Sequence, residues 1–333
     1  MEQGKRKIAV HNEWDTLREA VVGIEDDTVE PEYVEALVWL DEEGKEKCRK
    51  YGGRRTASYD PDKVEKIREQ LDNHVKNLEK CGVKVHRTRP MVNPAEKEFL
   101  NCVQRGNMLF GGADFFRVIG EKVLLLNSFR LPFRRKQVFM VRPLLEELLG
   151  EVQVIGEGEG KSYVCTPPPS PHYNREDLFL ENGDIMCDGK NVYVGMSGNA
   201  SSMAGVAWLK AFLGPEYKVR VIPLKKDHFH LDWALTLNKP GVLTYCEEAL
   251  EGGVAGLERI FPDWRKIRVN PKDTAAANIL TVDCNTVIVS EQDPLVIKEY
   301  ESCFTNVIVE KLDVTIEFGS GPRCLTAVLR RDP

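Results

Sequence analysis

The 333-residue sequence contains no Cys-x-x-Cys pair, and its nine cysteines are scattered and odd in number. This excludes a disulfide framework, speaks against a structural zinc site, and makes a reducing cytoplasm the expected compartment. No apolar run approaches the roughly 20 residues of a membrane helix. Residues 1–7 are polar and charged, unlike the apolar stretch of a signal peptide. There is no basic patch either. The 46 Lys and Arg are interspersed with 52 Asp and Glu, for a net charge of −6, so a nucleic-acid groove is not expected. What the chain does have is apolar content: 42% hydrophobic residues over this length suffice for a large core.

Apolar spacing divides the chain into short strands and amphipathic helices. A strand is expected at 17–24. Between 26 and 59 the sequence is charged and punctuated by glycine; a short helix is expected at 31–40 and a solvated surface loop at 45–55. Asp60-Pro61 then opens a helix with a cap followed by proline in the first turn. Val64, Ile67, Leu71, Val75 and Leu78 follow at helical spacing, Gly82 ends the helix, and 83–87 reads as a strand. From there one form recurs. Hairpin strands at 115–119 and 123–127 precede a helix at 136–149 and a strand at 152–155. After a proline-rich loop at 165–173, strands at 178–186 and 192–195 flank Asp188-Gly189, a strong hairpin signal, with a helix at 202–213 and a strand at 219–223. The next copy has strands at 231–237 and 242–245, a helix at 257–261 and a strand at 267–270. The last has strands at 279–282 and 287–290, a helix at 294–302 and a strand at 307–310. The first strand and helix, completed by the segment around Leu325, make a fifth copy. Such repetition points to a closed radial array or a solenoid. Pairing of the last segment with the first would close a ring and remove its exposed edges.

In a ring, polar residues at the strand starts converge on one axis. They are Asp114 after Gly111-Gly112-Ala113; Glu181-Asn182-Gly183-Asp184; His228, His230 and Asp232; Asn278; and Cys324 in the glycine-rich turn Phe318-Gly319-Ser320-Gly321-Pro322-Arg323-Cys324. Singly, each has an ordinary role as turn carboxylate, structural histidine or core cysteine. Together, several carboxylates aimed at one cavity imply a cationic guest, because an unpaired buried carboxylate is costly. Carboxylates hold a planar guanidinium through paired, charge-assisted hydrogen bonds and present its central carbon to a nucleophile. A thiolate attacks that carbon, while a histidine gives a proton to the departing amine and later takes one from the incoming nucleophile. Water as that nucleophile makes a deiminase or guanidine hydrolase; an amine makes an amidinotransferase.

The motifs that carry this chemistry resemble those of the amidinotransferase / arginine deiminase superfamily. Asn12-Glu13-Trp14-Asp15-x-Leu17-x-Glu19-x-Val21-Val22-Gly23 is similar to the opening of glycine and inosamine-phosphate amidinotransferases. Glu181-Asn182-Gly183-Asp184 resembles the acidic motif, His230-Leu231-Asp232 the His-x-Asp motif, and Gly319 to Thr326 with Leu329-Arg330-Arg331 the catalytic cysteine segment. The resemblance implies an α/β fold, a five-bladed αββαβ pseudo-symmetric propeller (the pentein fold), with residues 1–333 as one catalytic domain. It implies Cys324 as nucleophile, His230 as general acid and base, Glu181 as the group that orients His230 and faces the guanidinium, and Asp114 and Asp232 as binders of the guanidino nitrogens. Asp184 is expected to give structural support and Asn278 to line the same cavity. The expected reaction is transfer of the amidino group of a guanidine donor, L-arginine, to an amine acceptor; the alternative is hydrolysis of a guanidino compound. No metal or cofactor is required, no nucleic-acid or membrane partner is expected, and a homo-oligomer is the family expectation.

Three positions depart from the family pattern. Amidinotransferases of this group usually carry Asp where this chain has Glu181, whereas deiminases carry Glu; the opening motif nevertheless favours a transferase. The loop Gly195-Met196-Ser197-Gly198-Asn199-Ala200 lacks the arginine that receives a substrate carboxylate in many relatives, which leaves either Arg130, Arg134 or Arg323 for that task, or a guanidine donor other than free arginine. Ala113 stands where an arginine usually precedes the aspartate.

Overall fold

Short antiparallel hairpins alternate with helical crossovers to a parallel strand. The computed structural model describes residues 8–38, 40–108, 110–125, 129–149, 177–270, 276–291 and 294–333. β1 (Thr16–Val22) leads through α1 (Glu42–Tyr51) and α2 (Pro61–Lys80) to β2 (Lys84–Arg87) and the single turn α3 (Pro94–Lys97). β3 (Phe116–Ile119) and β4 (Lys122–Leu125) precede α4 (Val138–Leu149). β5 (Ile185–Asp188), β6 (Asn191–Met196), α5 (Met203–Leu213) and β7 (Lys218–Pro223) form the next unit. The single turn α6 (Leu231–Ala234) opens the following one, with β8 (Leu235–Lys239), β9 (Val242–Tyr245), α7 (Gly253–Ile260) and β10 (Arg265–Arg268). β11 (Leu280–Asp283), β12 (Thr286–Ser290), α8 (Pro294–Glu301) and β13 (Asn306–Glu310) come next. α9 (Asp313–Glu317) and β14 (Thr326–Asp332) end the chain.

Among the described residues the strands form five small sheets, ordered β14-β1-β2, β3-β4, β5-β6-β7, β8-β9-β10 and β11-β12-β13. The hairpin pairs β3–β4, β5–β6, β8–β9 and β11–β12 are antiparallel, and the strand after each crossover adds in parallel, β2 on β1, β7 on β6, β10 on β9 and β13 on β12. The tight turns need left-handed backbone, supplied by Gly189 at φ 59° and Gly241 at φ 78°. β1 pairs antiparallel with β14, from Thr16 opposite Asp332 to Val22 opposite Thr326, so the two ends of the chain share one sheet.

The apolar core is divided among the sheets and shared between neighbours. Val21 packs with Phe116, Val118 and Ala327; Ile119 and Leu124 pack with Ile185 and Val194. Met186 and Tyr193 join Leu235, Leu243, Val287 and Val289, and Leu280 and Ile288 join Leu17, Ile67 and Leu71. The sharing therefore runs from each sheet to the next and back to the first.

Four expectations are corrected. The strands expected at 178–186 and 231–237 begin only at Ile185 and Leu235, after the helical turns Asn182–Asp184 and α6. The described residues of 31–40 form no helix; Leu37 is buried against Cys48, Leu131, Phe133 and Phe229 from an irregular segment. The segment expected to be a surface loop at 45–55 is instead largely α1, capped by Asp41, whose side chain accepts the Gly44 N–H. The strand expected at 152–155 and the loop at 165–173 lie outside the described residues.

Candidate active site

A short helical turn stands before the first strand of three hairpins: Gly112–Phe115 before β3, Asn182–Asp184 before β5, and α6 before β8. These turns carry Asp114, Asp184 and Asp232. Asp114 and Asp232 face the segment leading into β14, where the backbone turns at Gly319 (φ 80°) before reaching Cys324.

Cys324 is 3% exposed. Its sulfur lies 3.0 Å from Asn278 Nδ2 and 3.4 Å from Asp232 Oδ2. The Asn278 carbonyl accepts the backbone N–H groups of Arg323 and Cys324, at 3.0 and 3.1 Å, so one amide fixes both the turn and the thiol. Asp232 also accepts from Arg323 Nη1 at 2.8 Å. Burial first, then the charges of Asp232 and Asp114, push the thiol well above its ordinary pKa, with Arg323 and the Asn278 hydrogen bond pulling the other way. The resting sulfur is therefore protonated.

His230, which precedes α6, contacts Glu181 Oε2 through Nε2 at 2.8 Å, and the Phe229 ring covers it at 4.1 Å between centroids. The backbone opposite must be glycine: a Cβ on Gly183 would lie 2.4 Å from His230 Nδ1. Glu181 is fully buried and held from several sides, its Oε1 accepting the Arg130 N–H at 3.0 Å. Burial works against the imidazolium, but the Glu181 hydrogen bond and charge, aided by Asp184 and Asp114, raise His230 to about 9. Burial likewise opposes ionisation of Glu181, yet His230 and Arg134 keep it below its usual range. The pair is thus a carboxylate and an imidazolium at neutral pH.

Arg134 enters this cluster. It ion-pairs with Asp114, and its Nη1 is 3.1 Å from Glu181 Oε2. Burial raises the Asp114 pKa, partly offset by Arg134 and His230. Asp184 does not face the thiol; it accepts the N–H groups of Ser201 and Leu231, each at 3.0 Å, and burial raises it to about 6. A cavity of about 270 Å³ opens onto this cluster, walled by Asp114, Arg134, His230, Trp233, Phe318 and Ser320 among others. Cys324, Asp232 and Glu181 are not among its lining residues. Among the described residues, no cluster of histidine, cysteine and carboxylate groups is arranged to hold a metal ion.

Below the cluster, Glu13 of the opening motif is a structural anchor. It ion-pairs with Arg117 of β3 and lies 3.5 Å from Arg323 Nη2, the guanidinium that holds Asp232. Burial would raise its pKa, but Arg117, Arg323 and Arg331 hold it down at about 2.

The five residues singled out in the sequence, Cys324, His230, Glu181, Asp114 and Asp232, thus meet in one cluster, joined by Asn278. Sequence reasoning named Arg134 and Arg323 only as candidates for a substrate carboxylate; it missed that Arg134 pairs with Asp114 and Glu181, and Arg323 with Asp232. The run Arg130-Leu-Pro-Phe-Arg134-Arg135-Lys136 was the available signal: cations interleaved with apolar residues, of which Arg130, Arg135 and Lys136 are all buried.

No family model matches the chain. Sequence comparison aligns 97% of it with 83% of mitochondrial glycine amidinotransferase from Danio rerio, at 22% identity. It also aligns 97% of it with 94% of L-arginine:L-lysine amidinotransferase from Pseudomonas savastanoi pv. phaseolicola, at 23%. Two solved structures share the fold. Inosamine-phosphate amidinotransferase from Streptomyces griseus has a TM-score of 0.76 at 19% identity, covering 98% of this chain and 97% of that one. An amidinotransferase of the saxitoxin biosynthetic pathway from Microseira wollei has a TM-score of 0.74 at 21%, covering 98% of both chains. Along nearly its whole length the chain is thus similar in sequence to amidinotransferases, and it shares the fold of two of them.

Proposed function

We propose that the chain is an amidinotransferase that moves the amidino group of a guanidine donor, L-arginine, to an amine acceptor through an amidino-thioether on Cys324. The observation that carries this reading is the set of groups around one buried thiol. An imidazolium sits on Glu181, Asp232 lies 3.4 Å from the sulfur, and Asp114 and Glu181 share a guanidinium between them.

The steps follow from these groups. A guanidinium held by Asp114 and Asp232 sets its carbon before Cys324. Its charge favours the thiolate, and Asp232 Oδ2 is an acceptor through which the thiol proton departs to solvent. The thiolate adds to the carbon; the C–N bond to the donor chain breaks, and His230 gives its proton to the leaving amine. The acceptor amine then adds to the amidino carbon, His230 takes its proton, and the C–S bond breaks to return the thiolate. Proton and electron count balance over the two halves. Residues 1–333 act in this reading as one catalytic unit working in the cytoplasm. The core shared from sheet to sheet, and the β1–β14 pairing, support a five-bladed propeller around the site.

Intact-protein mass spectrometry with L-arginine and a panel of amines tests the proposal. A gain of about 42 Da on Cys324 that one amine discharges faster than buffer is expected for a covalent amidino transfer. Discharge by water at the same rate with or without amines would make the chain a guanidine hydrolase instead.

A further inference from the structure

We propose that a second, smaller cavity, walled by Arg117, Arg323, Arg331 and Glu13, is a binding site for one small monovalent anion of the size of chloride. The inference stands apart from the transfer reading, since this cavity shares no lining residue with the one that holds Asp114 and His230.

Its place comes from the fold. The wall takes side chains from all five sheets or the turns leading into them: Arg117 on β3, Asn182 before β5, Thr236 on β8, Thr281 on β11 and Arg331 on β14. Glu13 enters from the segment before β1, and Arg323 from the cysteine turn. The four charged residues are each at most 8% exposed.

Charge is out of balance at this wall. Three guanidiniums line it, and Glu13 is the one carboxylate among its described residues. Glu13 ion-pairs with Arg117 and lies 3.5 Å from Arg323 Nη2. Asp232 meets Arg323 as well, accepting from Nη1 at 2.8 Å. Arg331 has no such partner. Its Nη1 and Nη2 donate to the backbone carbonyls of Asp15 and Thr281, at 2.6 and 2.8 Å, and among the described residues no carboxylate lies within ion-pair distance of it. Three cations against two carboxylates leave one positive charge over, and an unpaired buried charge is unfavourable. Arg331 registers the surplus: burial first, with the charges of Arg117 and Arg323, draws its pKa down to about 10 in spite of Glu13 and Asp15. It is still a cation at neutral pH.

Hydrogen bonding is incomplete in the same residues. Arg117 Nε and Arg323 Nε are buried and have no acceptor among the described residues. Buried donors of this kind ordinarily meet a water or an ion. A water accepts hydrogen bonds but cancels no charge; an anion does both. Volume narrows the choice further. The cavity measures about 20 Å³, and about 10–15 Å³ holds a water. One atom-sized guest fits, whereas a phosphate or a substrate carboxylate is too large. Chloride, slightly larger than water and singly charged, matches both the space and the surplus of one.

Two measurements test the proposal. The first is diffraction at the bromine absorption edge from wild-type crystals soaked in sodium bromide, which should show an anomalous peak among the three guanidiniums. The second is urea unfolding across a sodium chloride series, with sodium gluconate, whose anion is too large for the cavity, holding ionic strength constant. A dissociation constant of about 20 mM would lower the wild-type unfolding constant about 10-fold at about 0.2 M chloride, along a saturating curve. Arg331→Gln removes the surplus charge and should lose that saturating response. Glu13→Gln removes the competing carboxylate and should bind chloride at least about 10-fold more tightly than wild type, so that chloride restores part of its lost stability. A cavity without anomalous signal overturns the proposal, whether or not the variants fold. So does a chloride response that is the same in wild type and Glu13→Gln.

Discussion

At the scale of the residue, the proposed transfer needs one histidine kept charged and one thiol kept neutral until the donor arrives. His230 is held near 9 against its burial by Glu181. Its role as acid therefore requires kcat/KM to stay high below that value and to fall as pH rises through about 9, where the imidazolium is lost. Gly183→Ala puts a methyl group into the ring of His230 and separates it from Glu181. That variant should lose about 100-fold in kcat/KM, the usual worth of a general acid, and its alkaline limb should move down toward the ordinary histidine range. A pH profile that coincides with wild type would remove the Glu181–His230 contact from the mechanism. Cys324→Ser should abolish turnover and the mass gain while still binding the donor; residual activity within about 10-fold of wild type would rule out covalent transfer. These residues were legible in the sequence because glycine-flanked acids and a histidine inside apolar segments have few structural reasons to be there. Arg134 was named only as one of three arginines that could meet a substrate carboxylate; its pairing with Asp114 and Glu181, 20 and 47 positions away, was not legible before the packing was known.

At the scale of the element, α2 joins the first sheet to the end of the chain. His74, fully buried on α2, contacts Glu310 of β13 through Nδ1 and Thr326 of β14 through Nε2, both at 2.8 Å. His74→Ala removes both contacts and leaves buried polar groups on two strands, one of them adjacent to the cysteine turn. A loss of about 2–4 kcal/mol in urea unfolding is expected; a change below about 0.5 kcal/mol, the range of ordinary surface substitutions, would show the contacts to be dispensable. The same helix was plain in the sequence, since Asp60 caps it, Pro61 fits its first turn and Val64, Ile67, Leu71 and Leu78 face the core. Its neighbour α1 was hidden because it has no apolar stripe: Cys48 alone is buried, and the helix is specified by the Asp41 cap, acidic Glu42 and Glu43 in the first turn and basic Arg49 and Lys50 in the last. The stretch before it misled in the opposite direction. Val34, Leu37 and Leu40 have helical spacing, yet they line one side of an irregular segment whose backbone is engaged elsewhere, Glu32 N–H donating to Arg105.

At the scale of the whole molecule, the recurring hairpin, helix and strand were readable, and with them the pairing of first and last strands. The charges at the centre of that arrangement were not, because burial of a carboxylate with several guanidiniums is invisible until four distant segments meet. Glu13 stands just before β1 and faces Arg117 of β3, Arg323 of the cysteine turn and Arg331 of β14. It therefore ties the start of β1 to β3, to β14 and to the cysteine turn of the candidate site. Its pKa is lowered from 4.5 to about 2, the sense in which ionisation stabilises the native state. The contribution, about 3 kcal/mol, is present above pH 4.5 and is lost as pH falls through about 2. Glu13→Gln keeps the shape but leaves the guanidiniums without their shared carboxylate, and should cost about 3–5 kcal/mol at neutral pH. The cost should diminish as the medium is acidified below pH 4.5, because the unfolded wild-type chain then takes up the proton that native Glu13 binds only near 2. Urea unfolding of both proteins from pH 7 down to the acid limit of the folded state checks this. Stability curves that remain parallel throughout would mean that Glu13 carries no folding-linked charge, and that the sheets close without it.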